Sequence, residues 1–124
     1  LLVFHYCDYE TVHLQHLADR SDDPTLRKAC DLFRDHFVDL FGFVRDNFVG
    51  VDGLGLKIVA TRGAGFSWRD EEPGGLASQT WFKDAVDHQS KSARDKARER
   101  VLEYNEDDVR ATLAVRNWLT AFDA

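Results

Sequence analysis

The sequence predicts a single domain that is mostly helical and has one strand at its N-terminal end. Its 124 residues suit one domain, and 44% hydrophobic and 31% charged residues are typical of a globular protein. The chain opens with four apolar residues, so residues 1–6 are expected to form a short buried strand. From Leu76 onward nearly every residue fits a helical pattern. We therefore expect residues 1–124 to fold as one domain without a linker.

Two helices and an aromatic segment are predicted after the strand. Asp8 is placed to cap a helix over residues 9–19. Asp23, with a proline after it, begins a second helix whose apolar positions recur at helical spacing as far as Phe37. The aromatic-rich stretch from there to Phe48 fits either a strand or a helix. The spacing of its apolar residues favours a helix.

Glycines separate this part from the C-terminal helices. A short helix is predicted over residues 54–61, and the glycines of 63–65 end it. Residues 66–75 are predicted to form a loop. A break is expected at 88–92, after which the last helix runs over residues 92–122.

The charge and the cysteines exclude some classes of protein. The net charge of −6 argues against a large basic face for duplex DNA, but metal-dependent nuclease sites are themselves acidic. Cys7 and Cys30 have no zinc-ligand spacing and are expected to be reduced thiols. No signal peptide or membrane span is visible, so we expect a cytoplasmic protein. The sequence contains no methionine, and we expect the chain to be cut from a longer parent protein.

A carboxylate lies on the apolar stripe of the last helix. Residues three and four apart form that stripe: Val101, Tyr104, Asp108, Ala111, Val115, Trp118 and Phe122. A carboxylate in such a position is costly unless it is paired, hydrogen-bonded or bound to metal. Asp108 is therefore either a structural hydrogen-bond partner or a site residue, with Tyr104 one turn before it on the same face. Glu106 and Asp107 lie off the stripe and are predicted to be solvated charges.

Glu10 is a weaker candidate of the same kind. It shares a helix face with Leu14 and Leu17 and follows the buried strand, where catalytic residues often lie. Acidic residues are also favoured in the first turn of any helix by the helix dipole. Both interpretations remain open.

Two segments of the chain resemble motifs of the DnaQ-like DEDD exonuclease superfamily, which has a ribonuclease H-like fold. The segment YNEDDVRATLAVRNWL, residues 104–119, resembles the third motif, YxxxD. The segment FHYCDYE, residues 4–10, is similar to the second motif, with His5 in place of asparagine and Glu10 in place of aspartate. More narrowly, the chain resembles the ribonuclease H-like domain of predicted bacterial RecB-family nucleases. The first motif, DxE, is absent and is expected before Leu1.

The resemblance implies an α/β ribonuclease H-like fold, of which this chain is the C-terminal, mostly helical part. It implies metal-dependent 3′–5′ exonuclease hydrolysis of single-stranded DNA or RNA ends, with a RecB-like nuclease domain in the same parent protein. Asp108 and Glu10 would bind Mg²⁺ or Mn²⁺, and Tyr104 would orient the attacking water. We expect Glu10 and Asp108 to lie close together. The alternative is a catalytically degenerate domain that binds nucleic acid or protein.

Four other features have open interpretations. Asp39 is either a helix cap or a further acid at the rim of the site. Lys57 either contacts phosphate or extends its stem along the core edge. The basic run 91–100 is either a groove for a single strand or a solvated helix face. Trp68, in a loop, is the one tryptophan placed to stack on a base.

Overall fold

The chain is described here by a computed structural model that covers residues 1–122. Its elements confirm a mostly helical domain with a strand near the N-terminus. In chain order they are β1 (Val3–His5), α1 (Tyr9–Arg20), α2 (Pro24–Arg34), β2 (Phe37–Asp39), α3 (Leu40–Asn47), α4 (Leu56–Arg62), α5 (Gly75–Asp87) and α6 (Lys91–Thr120).

A second strand lies in the aromatic-rich segment that fitted either a strand or a helix, although its apolar spacing favoured a helix. β1 and β2 form a parallel pair in which Val3 lies opposite Phe37 and His5 opposite Asp39. A parallel pair needs a crossover connection, and the packed helices α1 and α2 provide it. The helical prediction for residues 37–48 was therefore wrong for its first three residues. Pairing with β1 satisfies the backbone groups of that segment, and the predicted helix begins only at α3.

The predicted helix starts are confirmed, but their caps differ. The Asp23 carboxylate accepts a hydrogen bond from the Thr25 amide at 2.8 Å, as a capping residue does. Asp8 precedes α1 but its side chain makes no capping hydrogen bond, which corrects that prediction. The reason is local geometry, because the backbone of Asp8, with φ −92° and ψ 3°, is not in the extended conformation that a capping side chain requires.

The C-terminal half follows the predicted pattern closely. The helix α4 ends at the glycines, the following loop reaches α5, and the break before α6 lies where it was predicted. Ser90 begins α6 by accepting a hydrogen bond from the Ala93 amide. The helix ends at Thr120, so Phe122 lies beyond it. No helix among residues 1–122 combines the length and the apolar character needed to cross a membrane.

The core joins β1 to α3, α4 and α6. Its buried members are Tyr6, Leu40, Val44, Val59, Ala60, Ala111 and Val115. Ala111 and Val115 come from the stripe on α6 and are fully buried, which confirms that this face of the helix points inward. Cys7 and Trp68 border the same core. The two candidate motifs therefore pack on one hydrophobic core.

Candidate active site

Tyr104 is buried on α6 and is held by a lysine from α4. Only 6% of its surface is exposed. Lys57 Nζ donates a hydrogen bond to the Tyr104 hydroxyl at 3.0 Å and another to the Pro73 carbonyl at 2.5 Å. Because a lysine ammonium can only donate, the tyrosine hydroxyl is the acceptor and keeps its own proton for another partner.

Asp108 lies one helical turn beyond Tyr104 and is partly buried. The indole Nε1 of Trp68 donates a hydrogen bond to Asp108 Oδ1 at 2.8 Å. Trp68 is thereby fixed in orientation, with its ring edge-on to Phe66. The loop tryptophan that was predicted as a stacking platform is thus a partner of the candidate carboxylate. We call Lys57, Trp68, Tyr104 and Asp108 the Tyr104 cluster.

The electrostatics of the Tyr104 cluster follow from its partial burial. Burial raises the pKa of Tyr104 to about 12, and both the negative charge of Asp108 and a side-chain hydrogen bond with Asp108 act in the same direction. Burial lowers the pKa of Lys57, while Asp108 opposes that effect. Lys57 Nζ also lies 5.0 Å from the centroid of the Tyr104 ring. At neutral pH the tyrosine is therefore protonated and able to donate a hydrogen bond.

The loop before α5 is attached to α6 by three consecutive residues. Trp68 bonds to Asp108, Arg69 bonds to Asp107, and Asp70 bonds to Arg100. Asp107 is only 3% exposed, so the prediction that it is a solvated charge was wrong. The physical reason is that Arg69 covers it with both its main-chain amide and its guanidinium. Glu106, predicted in the same way, is about half exposed and pairs with Arg69 as well.

Glu10 lies in the other candidate motif, at the start of α1. Its carboxylate is 3.9 Å from Nδ1 of His5, a residue that is only 7% exposed. The same ring nitrogen of His5 contacts the Cys7 carbonyl at 2.5 Å. Cys7 has a left-handed backbone with φ 65°, and its amide donates to Asp39 Oδ1 at 2.9 Å. The turn at Cys7, just after β1, therefore lies between His5, Glu10 and Asp39.

Asp39 is a helix cap, which confirms the first interpretation of this residue. Its Oδ1 accepts hydrogen bonds from the Phe41 amide, at the start of α3, and from the Cys7 amide. Burial raises the pKa of the Cys7 thiol, and the nearby Asp39 charge raises it further. Asp39 therefore fixes the end of β1 and the end of β2 at the same time.

The structure brings Tyr104 and Asp108 into one cluster, whereas Glu10 contacts His5. No hydrogen bond or ion pair joins Glu10 to either of them within residues 1–122. Over the same residues, no three histidine, cysteine, aspartate or glutamate side chains form a group that could hold a metal ion. A site shared by Glu10 and Asp108 remains a prediction.

Two members of the Tyr104 cluster were underrated from the sequence. Lys57 lies on the short helix α4, which also carries the buried residues Val59 and Ala60. A lysine close to buried positions was the sequence signal that could have indicated a role in the site. For Trp68 the sequence offered no signal of a bond to Asp108. The two residues are 40 positions apart, and only the path of the loop over α6 brings them together.

Comparison with known proteins gives the family. No curated protein and no solved structure shows a significant match to this chain. Residues 1–120, which are nearly the whole sequence, match a family model of the RNase H superfamily. The chain therefore belongs to the RNase H superfamily and forms an RNase H-like domain, a membership that suggests nuclease activity on nucleic acid.

Proposed function

We propose that this chain is part of a metal-dependent 3′–5′ exonuclease and that the Tyr104 cluster is part of its active site. The observation that carries the proposal is the placement of Tyr104 and Asp108 one turn apart, with Lys57 bonded to the tyrosine hydroxyl. A buried tyrosine hydrogen-bonded to a cation, with a carboxylate one helical turn away, offers groups that phosphodiester hydrolysis uses. Membership of the RNase H superfamily supports the same reading.

Tyr104 would orient the attacking water or a phosphate oxygen. Its hydroxyl accepts from Lys57, and its raised pKa of about 12 keeps its own proton in place at neutral pH. A fixed donor of this kind holds a reactant in the geometry of attack. Asp108, whose Oδ1 accepts a hydrogen bond from Trp68, would supply a carboxylate oxygen one helical turn from Tyr104.

The chemistry of the donors suits a hard divalent ion, but the set is incomplete. Mg²⁺ and Mn²⁺ prefer carboxylate oxygens, which Asp108 and Glu10 offer. Because residues 1–122 contain no group of three suitable side chains, they do not by themselves fit a two-ion site. We therefore propose that a DxE segment elsewhere in the parent protein supplies the remaining carboxylates. The parent protein would also carry a RecB-like nuclease domain.

The proposed substrate is the end of a single strand of DNA or RNA. The net charge of −6 gives the chain little attraction for a long duplex. Binding the end of a single nucleic-acid strand needs only a few contacts, namely a cation for a phosphate and an oriented hydrogen-bond donor at the reacting group.

The test is cleavage by the full-length protein of a single strand labelled at its 5′ end, with Mg²⁺ or Mn²⁺. We expect stepwise shortening from the 3′ end that EDTA stops. Tyr104→Phe should lower the rate by about 10²-fold, the lower range for loss of a proton-handling group. Asp108→Asn should abolish cleavage, and Glu99→Gln, an exposed acid on the same helix, should have no effect. Full activity of Asp108→Asn would exclude this active site.

A degenerate binding domain is the second candidate. It is favoured by the Trp68 indole, which already occupies one oxygen of Asp108, and by His5 at the position where the related motif has asparagine. In that case the full-length protein would bind single strands without shortening them under any metal condition.

A further inference from the structure

Lys57 carries a partly buried positive charge that has only neutral hydrogen-bond partners. Its Nζ donates to the Tyr104 hydroxyl and to the Pro73 carbonyl. No carboxylate lies within ion-pair distance of it among residues 1–122. Removing a cation from water without an anionic partner is unfavourable. An ammonium has three N–H donors, so one remains for a further acceptor.

The surroundings of Lys57 explain how the charge is tolerated. Its Nζ lies 5.0 Å from the Tyr104 ring centroid and 5.9 Å from that of Trp68, so two aromatic faces stabilise the cation. The nearest functional carboxylate, Asp108, accepts its hydrogen bond from Trp68 and not from Lys57. The aromatic faces fix the position of the ammonium, while its charge stays available for an anion.

We propose that Lys57 is a phosphate-binding residue that holds a backbone phosphate of the single strand beside the Tyr104 hydroxyl. This inference rests on the proposed function and names the group that the site binds. The phosphate oxygen accepts the third N–H of Lys57, and the neighbouring hydroxyl can donate its proton to the same phosphate. The ion pair compensates the charge that the folded protein leaves without an anion.

The test is binding of a fluorescent single-stranded oligonucleotide to the full-length protein in EDTA, measured by anisotropy at several salt concentrations. Loss of one charged hydrogen bond should weaken binding about tenfold in Lys57→Gln. The slope of log K against log salt should fall by about 0.7, the value for one phosphate contact on a single strand. Lys57→Arg should keep the slope. Lys28→Gln, which removes an exposed lysine of α2, should change neither quantity.

A second measurement does not depend on the stability of the glutamine variant. A neutral methylphosphonate linkage, moved along the oligonucleotide, should weaken binding to the wild type at one position and have no effect there in Lys57→Met. A change in affinity without a change in salt slope would show that Lys57 is only structural and would overturn the proposal. If the wild-type protein does not bind the oligonucleotide at all, the proposal is also overturned.

Failure of this inference and failure of the proposed function give different results. If the wild type shortens the strand and Lys57→Gln keeps the full salt slope, the phosphate contact is refuted and the exonuclease stands. If the salt slope falls as expected but no nucleotide is ever released, the phosphate site stands and hydrolysis is refuted.

Discussion

The Asp107 carboxylate accepts two hydrogen bonds from Arg69, one from its main-chain amide at 2.8 Å and one from Nε at 2.9 Å. Burial alone would raise the pKa of Asp107, but these bonds from Arg69 outweigh it and hold the pKa below its usual range. The pair attaches the loop of residues 66–74 to α6. The same loop carries Trp68, so this attachment positions the partner of Asp108.

Asp107→Ala should be strongly destabilising. The substitution leaves the Arg69 amide without its acceptor, and we expect a loss of about 2–3 kcal/mol in the free energy of unfolding. Urea denaturation followed by circular dichroism measures it. Glu99→Ala, an exposed acid on the same helix, is the control and should change stability by less than about 0.5 kcal/mol. Equal effects would mean that Asp107 is a surface charge after all.

Asp108→Asn should be neutral or stabilising in this chain. Asparagine keeps an oxygen for the Trp68 indole and removes a partly buried charge, so we expect a gain of up to about 1–2 kcal/mol. Thermal melts at neutral pH without metal would compare the two proteins. A large loss of stability would identify Asp108 as a structural residue whose charge the fold requires.

Two glycines should respond in opposite directions to alanine. A Cβ at Gly63 would lie 2.8 Å from the Val59 carbonyl oxygen and 3.0 Å from the Trp118 ring. Gly63→Ala should therefore cost about 1–3 kcal/mol. At Gly42, inside α3, a Cβ meets nothing within 4 Å, and Gly42→Ala should stabilise by about 0.5–1 kcal/mol. Chemical denaturation of both variants tests the pair, and a stable Gly63→Ala protein would contradict the packing described.

Asp70 should make stability depend on pH in the acid range. The Arg100 side chain bonds to its carboxylate and lowers the pKa of Asp70. A lowered folded-state pKa stabilises the fold above the ordinary aspartate value of about 3.9, and this contribution is lost as the pH falls through the folded-state value. The melting temperatures of wild type and Asp70→Asn should differ near neutral pH and converge in acid. A difference that is independent of pH would show that the carboxylate charge is not involved.

This chain of 124 residues should release no nucleotide from labelled single-stranded DNA with Mn²⁺. Two carboxylates rarely hold two hard ions, and residues 1–122 contain no larger group of ligands. Incubation followed by gel electrophoresis checks the expectation, with the proposed parent protein that carries the DxE segment as the positive control. Clear release by the short chain would place the active site elsewhere in these residues.

The sequence by itself determined the features that depend on local patterns. The N-terminal strand, the start of α1 after Asp8 and the break before α6 follow from patterns that act over a few positions. The start of α2 follows from such a pattern and from the capping side chain of Asp23. The apolar spacing of α6 likewise predicted which face of that helix points toward the core. The motif around Tyr104 and Asp108 was visible for the same reason, since a helix places residues four apart on one face.

Only the tertiary structure decided the features that join distant segments. Residues 37–39 are a strand because they pair with β1, a contact that no local pattern encodes. Asp107 lies three positions from Tyr104 and Asp108 four, and both spacings reach the same side of a helix. Arg69 on the covering loop decides that Asp107 is buried in an ion pair, while the Trp68 indole and the Lys57 ammonium give Asp108 and Tyr104 their partners. A helical pattern fixes which face is buried, but the partners on that face come from the rest of the fold.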